Sequence, residues 1–270
     1  MHTLRLKAAT MAWHEQGDPA GIPLLFIHGF PFSHGMWDPQ LKALSPSVRA
    51  IAPDLRGFGK SLPTQYPLTI EFFIDDLFSL LDHLKIPTAI FCGLSMGGYI
   101  ALRAYEREPE RFLGMILADT RSEADDNAGK IKRSASVKAI QESGREIFAE
   151  GFLKNIFAPA SFHNHPEAIS LIRNIILQNT PDTITGALQA LASRTDTTHV
   201  LGSISVPTLV MVGEQDILTP PTAAEHMHLK IPNSSLVVLG NAGHMANLEA
   251  SNKFNTELIR YLSTNFSISS

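Results

Sequence analysis

Only one cysteine, Cys92, occurs in 270 residues, which excludes an intrachain disulfide and any multi-cysteine metal site and leaves the fold to be held by its core. No stretch approaches the roughly 18 consecutive apolar residues of a membrane-spanning helix. The N-terminus, MHTLRLKAATMAWHEQGDPA, lacks the continuous apolar run of a signal peptide. A cytoplasmic location is therefore expected, and the lone thiol suits a reducing compartment. Nor is there a block of like charges: 22 Lys and Arg are interspersed with 26 Asp and Glu for a net charge of −4. With no basic stripe to neutralise phosphates or anionic headgroups, neither nucleic acid nor a membrane is an expected partner. Internal repeats are missing, and the one biased tract is a polar, Ser-rich tail after Tyr261 that is expected to fray. Oligomeric state leaves no readable trace.

What is present is apolar enough to fold. Hydrophobic side chains make up 44% of the chain and mean hydropathy is near zero, which suits one domain with an insertion or two small domains. Short β-rich apolar runs recur: PLLFIHG (23 to 29), VRAIAPD (48 to 54), AIFCGLS (89 to 95), GMILADT (114 to 120), TLVMVGEQD (208 to 216) and SLVVLGNAGH (235 to 244). Between them lie segments of helical spacing, such as IEFFIDDLFSLLDHLK, where Phe72, Phe73, Leu77, Leu80, Leu81 and Leu84 share a face and Asp75, Asp76 and Lys85 mostly occupy the other. Alternation of strand and helix predicts an α/β fold, a doubly wound and mostly parallel sheet. In such sheets ligands gather beyond the carboxyl ends of the strands. From about Arg121 to Val206 the alternation stops, and four helices are expected over Asp126 to Gln141, Arg145 to Ile156, Pro166 to Gln178 and Pro181 to Ala192. This predicts a core of residues 1–120 and 207–270 carrying a helical cap, 121–206. Phe148, Phe152, Ile156, Phe157 and Phe162 are expected to pack the cap on itself, with part of that face roofing the strand ends.

The chemistry concentrates at those ends. In GLSMGG, Ser95 follows a predicted strand and starts a predicted helix, with Gly93 and Gly97 beside it. The pattern is that of a nucleophile elbow, where a serine takes a strained backbone conformation and the helix N-terminus points donors at a developing anion. A serine hydroxyl needs a base within reach and a group to hold that base in one tautomer. His244, in GNAGHMANLE, and Asp216, in VGEQDILTPP, lie at the ends of the last two runs. Taken singly, Asp216 also suits a turn or cap and His244 a loop histidine bonded to backbone. Together, in the order Ser, Asp, His, they read as acid and base, with Asp119 as the alternative acid. After the first run, Gly29 permits a sharp turn that would aim the Phe30 N–H at the same point as that of Met96. Two such donors would form an oxyanion hole, each worth roughly 3 to 4 kcal/mol in the transition state.

The stretches HGFPFSHGMWDPQ, APDLRGFGKS, GLSMGGYIAL, GEQDILTPP and AGHMANLE together resemble the α/β-hydrolase superfamily, over residues 20 to 262. Within it the chain is similar to the small esterases and 3-oxoadipate enol-lactonase-like proteins. The resemblance implies Ser95 as nucleophile, His244 as base, Asp216 as its orienting acid, Phe30 and Met96 as oxyanion donors, and no cofactor or metal. It implies hydrolysis of a small-molecule ester or lactone through an acyl-enzyme. Related serine enzymes cleave carbon–carbon bonds or form peracids, and a non-catalytic binder would keep the same pocket.

Other signals carry less. GFGKS at 57 to 61 fails the phosphate-loop pattern, because Asp54 stands where its first glycine is required. The pairs His163/His165 and His226/His228 lack companion acids at metal-ligand spacing. His28 reads as a structural brace and Cys92 as a buried core thiol. Phe32, Met36, Trp37, Leu218 and Met245 are expected near the pocket mouth, where they suit a small, largely apolar acyl or alcohol group, and Arg121 is expected to pair with Glu123 or Asp125, a substrate carboxylate being its other possible partner.

Overall fold

The computed structural model describes residues 1–6, 9–62 and 67–266. In chain order the strands are β1 (His2–Arg5), β2 (Thr10–Gln16), β3 (Ile22–Ile27), β4 (Val48–Pro53), β5 (Ala89–Leu94), β6 (Phe112–Ala118), β7 (Thr208–Gly213) and β8 (Ser234–Leu239). The helices are α1 (Asp38–Ala43), α2 (Ile70–His83), α3 (Met96–Arg107), α4 (Asn127–Ile156), α5 (Ser161–Asn164), α6 (Pro166–Gln178), α7 (Pro181–Ala192), α8 (Pro221–Lys230), α9 (Ala246–Glu249) and α10 (Ser251–Phe266).

One sheet runs in the order β1-β2-β4-β3-β5-β6-β7-β8. From β4 to β8 all pairings are parallel, whereas β1 and β2 are antiparallel. The central strands read as unbroken apolar runs because both their faces are covered: β5 is buried along its whole length. Phe91 stacks on Phe112 at 3.9 Å, and each such fully buried apolar side chain contributes about 1.5–3 kcal/mol. The flanking helices follow from their amphipathic stripes, with α3 packed on β5 and α2 on α3. Thr69 caps α2, its hydroxyl accepting the Phe72 N–H at 3.1 Å. Asp76 departs from the expected solvent face. It is buried in a bidentate pair with Arg56, 2.6 and 2.5 Å, so the polar position turned inward to meet a cation from the loop after β4.

The helices α4 to α7 are inserted between β6 and β7. The long α4 breaks at Gly144, whose φ of 83° is the left-handed conformation that glycine adopts without steric cost, so its two limbs match the two expected helices. The insertion leaves and rejoins the sheet through a narrow neck, where Thr197 donates from both its N–H (3.0 Å) and its hydroxyl (3.1 Å) to the Ser122 carbonyl. Its far side is fastened too. Buried Asn179 donates to the Pro31 carbonyl at 2.8 Å and accepts from the Gly59 N–H at 3.1 Å, and the Thr183 hydroxyl donates to the Gly57 carbonyl. At the C-terminus α10 continues to Phe266, five residues past the point where fraying was expected; the end of that tail, 267–270, lies outside the described residues.

Candidate active site

Ser95 joins β5 to α3 with φ 54° and ψ −114°, and it is half-buried among buried neighbours. A non-glycine residue in this conformation is strained and must be over-determined by its surroundings. They are visible: the Ser95 N–H donates to the Ala118 carbonyl at 3.0 Å, and its own carbonyl accepts from the Thr120 hydroxyl at 2.8 Å and from the N–H groups of Gly98 and Tyr99. The glycines are needed for contact as much as for turning. A Cβ at Gly93 would strike the Gly97 carbonyl, and one at Gly97 the Ile27 carbonyl, because α3 enters against the bare backbone of two strands.

Asp216 and His244 follow β7 and β8. Their loops are zipped together by the Gln215 N–H donating to the Ala242 carbonyl (2.8 Å) and the Glu214 N–H to the Leu239 carbonyl (2.9 Å). The result is a 2.7 Å hydrogen bond between His244 Nδ1 and Asp216 Oδ2, both side chains being almost fully buried. Asp216 serves as a turn residue as well: its Oδ1 accepts the N–H groups of Leu218 (2.8 Å) and Thr219 (3.1 Å), while the Thr219 hydroxyl donates to Oδ2 at 2.6 Å. Burial alone would raise the Asp216 carboxyl. His244 beside it and the Thr219 donors outweigh burial and hold it below the ordinary carboxylate value.

Asp119, the other acid considered, lies fully buried after β6 and accepts the Gly213 N–H at 2.8 Å. Burial, then the neighbouring Asp216 charge, pushes its carboxyl well above the usual range. The two neighbouring carboxyls are thus shifted in opposite directions, and the one held low faces the imidazole.

Ser95 and His244 line one cavity of about 510 Å³. Among the described residues Ser95 Oγ makes no direct hydrogen bond to His244; such bonds are often long before substrate arrives. The loop after β3 closes another side. There the Gly29 N–H reaches Met36 Sδ (3.4 Å) and the Phe32 N–H the Gly29 carbonyl (2.9 Å), while the Phe30 N–H has no partner among the described residues. The N–H of Met96, first residue of α3, lies in the turn where no helical carbonyl can accept it.

The cavity walls differ from the sequence expectation. Leu218 lines the cavity, but Trp37 and Met245 do not. Both are fully buried; the Trp37 indole is wedged between Phe26 (5.0 Å) and Phe254 (6.3 Å), so its large apolar surface went to the core. Phe32 and Met36 are likewise fully buried. Conversely, Phe148 and Phe152, expected to pack the inserted helices on themselves, stack on each other at 5.3 Å and turn their edges to Phe30 over Ser95's cavity. The remaining walls include Tyr99, Leu188, Leu191 and Pro220. The charged lining residues are Arg121, Lys132 and Arg133 with Asp125 and Asp126. Arg121 pairs with Asp125 as expected (3.1 Å), but Arg194 (2.8 Å) and Arg133 share the same carboxylate.

His28 is a brace: its Nδ1 donates to the Gly29 carbonyl (2.8 Å) and its Nε2 accepts the Leu55 N–H (3.0 Å). His226 pairs with Glu123 at 2.6 Å, and burial pushes the Cys92 thiol up. Residues 57–61 form the loop after β4, with Asp54 Oδ2 accepting the Lys60 N–H at 2.8 Å. Thr219 went unread in the sequence, although a Thr three residues beyond an acid is a turn signal that would have suggested it.

A mostly parallel sheet, a serine elbow after β5, and an acid and histidine after β7 and β8 define an α/β hydrolase. The chain belongs to that family: the model of the alpha/beta hydrolase fold matches residues 22–251. It is similar to 3-oxoadipate enol-lactonase 2 of Acinetobacter baylyi, at 30% identity over 257 residues covering 94% of this chain and 93% of that one. Among solved structures it is similar to a thermophilic esterase from Thermogutta terrifontis with malate bound, at 34% identity and TM-score 0.93, covering 98% of this chain and 99% of the other. An esterase from Exiguobacterium antarcticum is similar at 26% identity and TM-score 0.85, with 94% and 96% covered.

Proposed function

We propose that the protein hydrolyses carboxylic esters or lactones of small molecules, with Ser95 as nucleophile, His244 as general base and Asp216 as its orienting acid. The observation that carries this is the buried His244–Asp216 hydrogen bond at the wall of the cavity onto which the strained Ser95 opens. Because Nδ1 donates to Asp216, the other ring nitrogen is left bare to take the Ser95 proton. As Oγ bonds to the carbonyl carbon, the carbonyl oxygen becomes an oxyanion and is held by the Phe30 and Met96 N–H groups. Collapse of this intermediate breaks the carbon–oxygen bond and His244 returns the proton to the departing alcohol. Water then repeats the sequence, giving its proton to His244 and its oxygen to the acyl group, and Ser95 is regenerated. No step calls for a cofactor.

The same reading divides the chain into a catalytic core, residues 1–120 and 207–270, and a cap, 121–206, that supplies substrate contacts. Phe30, Phe148 and Phe152 favour an apolar group beside the reacting carbonyl. Among the lining residues Arg121, Lys132 and Arg133 face Asp125 and Asp126, which leaves one positive charge in excess, so a substrate that also carries a carboxylate is favoured. The similarity to an enol-lactonase supports this preference. A cytoplasmic location, the reading of the lone thiol, belongs to the same proposal. The test is a panel of p-nitrophenyl esters of increasing acyl length, beside lactones and half-esters of dicarboxylic acids, with a fluorophosphonate probe. Turnover and labelling are expected for the native protein and neither for Ser95→Ala; a folded Ser95→Ala with near-native turnover would sink the assignment.

A further inference from the structure

The loop that presents His244 has three successive backbone N–H groups, and none of them is left to solvent or to the loop itself. The His244 N–H donates to the carbonyl of Ile156, last residue of α4, at 2.8 Å. Its two neighbours, Gly243 (2.9 Å) and Met245 (3.2 Å), both donate to Oε1 of Glu249. The second oxygen of that carboxylate, Oε2, accepts the Ala158 N–H at 2.7 Å and the Ser161 hydroxyl at 2.6 Å, just past the end of α4. Glu249 itself is 6% exposed.

A buried carboxylate is costly unless its lone pairs are filled, and here four donors fill them. The arrangement is specific to two acceptor oxygens. An amide offers one acceptor and turns an NH₂ toward a pair of N–H or O–H groups, and an aspartate is one methylene too short to reach both pairs. The donors divide evenly: one oxygen grips the residues on either side of the histidine, the other grips the inserted segment. Backbone approach is tight as well, since a Cβ at Gly243 would come within 2.7 Å of the Ala158 nitrogen.

We propose that Glu249 is a positioning residue for the reaction: it fixes the orientation in which the 243–245 loop offers His244 to Ser95 and ties that orientation to residues 156–161 of the insertion. The inference rests on His244 being the base. Glu249 touches neither substrate nor the imidazole, so its effect falls on the transition state and not on substrate affinity.

The experiment compares Glu249→Gln, Ser161→Ala and His244→Ala with the native enzyme, measuring kcat and KM on a p-nitrophenyl ester, the fluorophosphonate labelling rate per folded protein, and the thermal midpoint. Misplacement of a reacting group by about 1 Å can cost on the order of a hundredfold, so Glu249→Gln is expected to lower kcat and labelling together by about tenfold or more, with KM within about twofold. Ser161→Ala removes one donor on the far side of the carboxylate and is expected to lower kcat by about two- to threefold at unchanged KM. A folded Glu249→Gln whose kcat stays within about twofold of native, even at a lowered midpoint, makes Glu249 a staple only and overturns the proposal. If Glu249→Gln does not fold, Ser161→Ala decides, and native kcat in that variant overturns it. His244→Ala separates the two levels. If it labels at the native rate, the assignment of the base has failed; if it is inert while Glu249→Gln is fully active, only the positioning role has.

Discussion

Replacing Asp216 by asparagine tests the acid assignment at the level of a single proton. In the native site Oδ1 is occupied by the N–H groups of Leu218 and Thr219, so an asparagine there keeps its carbonyl oxygen on those two donors. Its NH₂ then falls where Oδ2 was, 2.7 Å from His244 Nδ1 and 2.6 Å from the Thr219 hydroxyl. An N–H facing Nδ1 forces the imidazole to put its own proton on the other nitrogen, the one that must accept from Ser95. The residue is almost isosteric and the turn is preserved, so the fold should survive while the base is held in the wrong tautomer. The expected loss in kcat is about 10⁴-fold, equivalent to roughly 5 kcal/mol of transition-state stabilisation. The assay is hydrolysis of the best p-nitrophenyl ester across a range of pH, with active-site titration to count competent molecules. KM should change little. If Asp216→Asn retains activity within about tenfold of native, the tautomer argument fails, and Asp119→Asn becomes the variant to examine for the missing acid.

Asp119→Asn is otherwise expected to leave kcat nearly unchanged and to show its effect in stability. The folded state raises the Asp119 carboxyl, so ionisation opposes folding increasingly as pH rises above the ordinary carboxylate value; the neutral amide escapes this, and the variant's melting point relative to native should be higher at pH ~8 than at pH ~5. A constant difference between the two would refute an upward shift of the Asp119 carboxyl. For His28 the sign is opposite. Burial holds its imidazole down to about 4 against an ordinary 6.5, so no stability is lost above that ordinary value, and about 3 kcal/mol is lost progressively as pH falls through the interval. Urea unfolding of native protein and His28→Gln should diverge in this window, and parallel pH profiles would count against it. Gly97→Ala places a methyl on the Ile27 carbonyl and should destabilise by about 1–3 kcal/mol, read as a lower denaturation midpoint; an unchanged midpoint would mean that α3 is free to back away from the sheet.

The parallel strands were legible because strands covered on both faces must be apolar throughout, as AIFCGL is. The hairpin β1–β2 was not: its burial is partial, and charged and polar residues such as Arg5, His14 and Glu15 break the apolar pattern. At the site, the meeting of Asp216 with His244 was readable from their positions after consecutive strands. The roles of Trp37, Phe148 and Phe152 were not. A bulky apolar residue serves core or cavity equally well, and only the distance across the fold decides between them. Glu249 carries no mark in sequence either, because its four partners come from two stretches of chain some 80 residues apart, Ala158 with Ser161 and Gly243 with Met245.

The neck formed by Ser122 and Thr197 has a consequence for how such an enzyme changes over evolutionary time. Some 70 residues of chain depart and return at nearly one point, with β6 and β7 adjacent in register across the junction (Ala118 opposite Met211). Loop closure grows only slowly in cost with length, so helices can be lengthened, shortened or exchanged above the neck with little penalty to the sheet below. A swap that keeps the Ile156–Ser161 fastening to the histidine loop can alter which molecule enters, while one that loses it would have to restore by other means the order on which turnover depends.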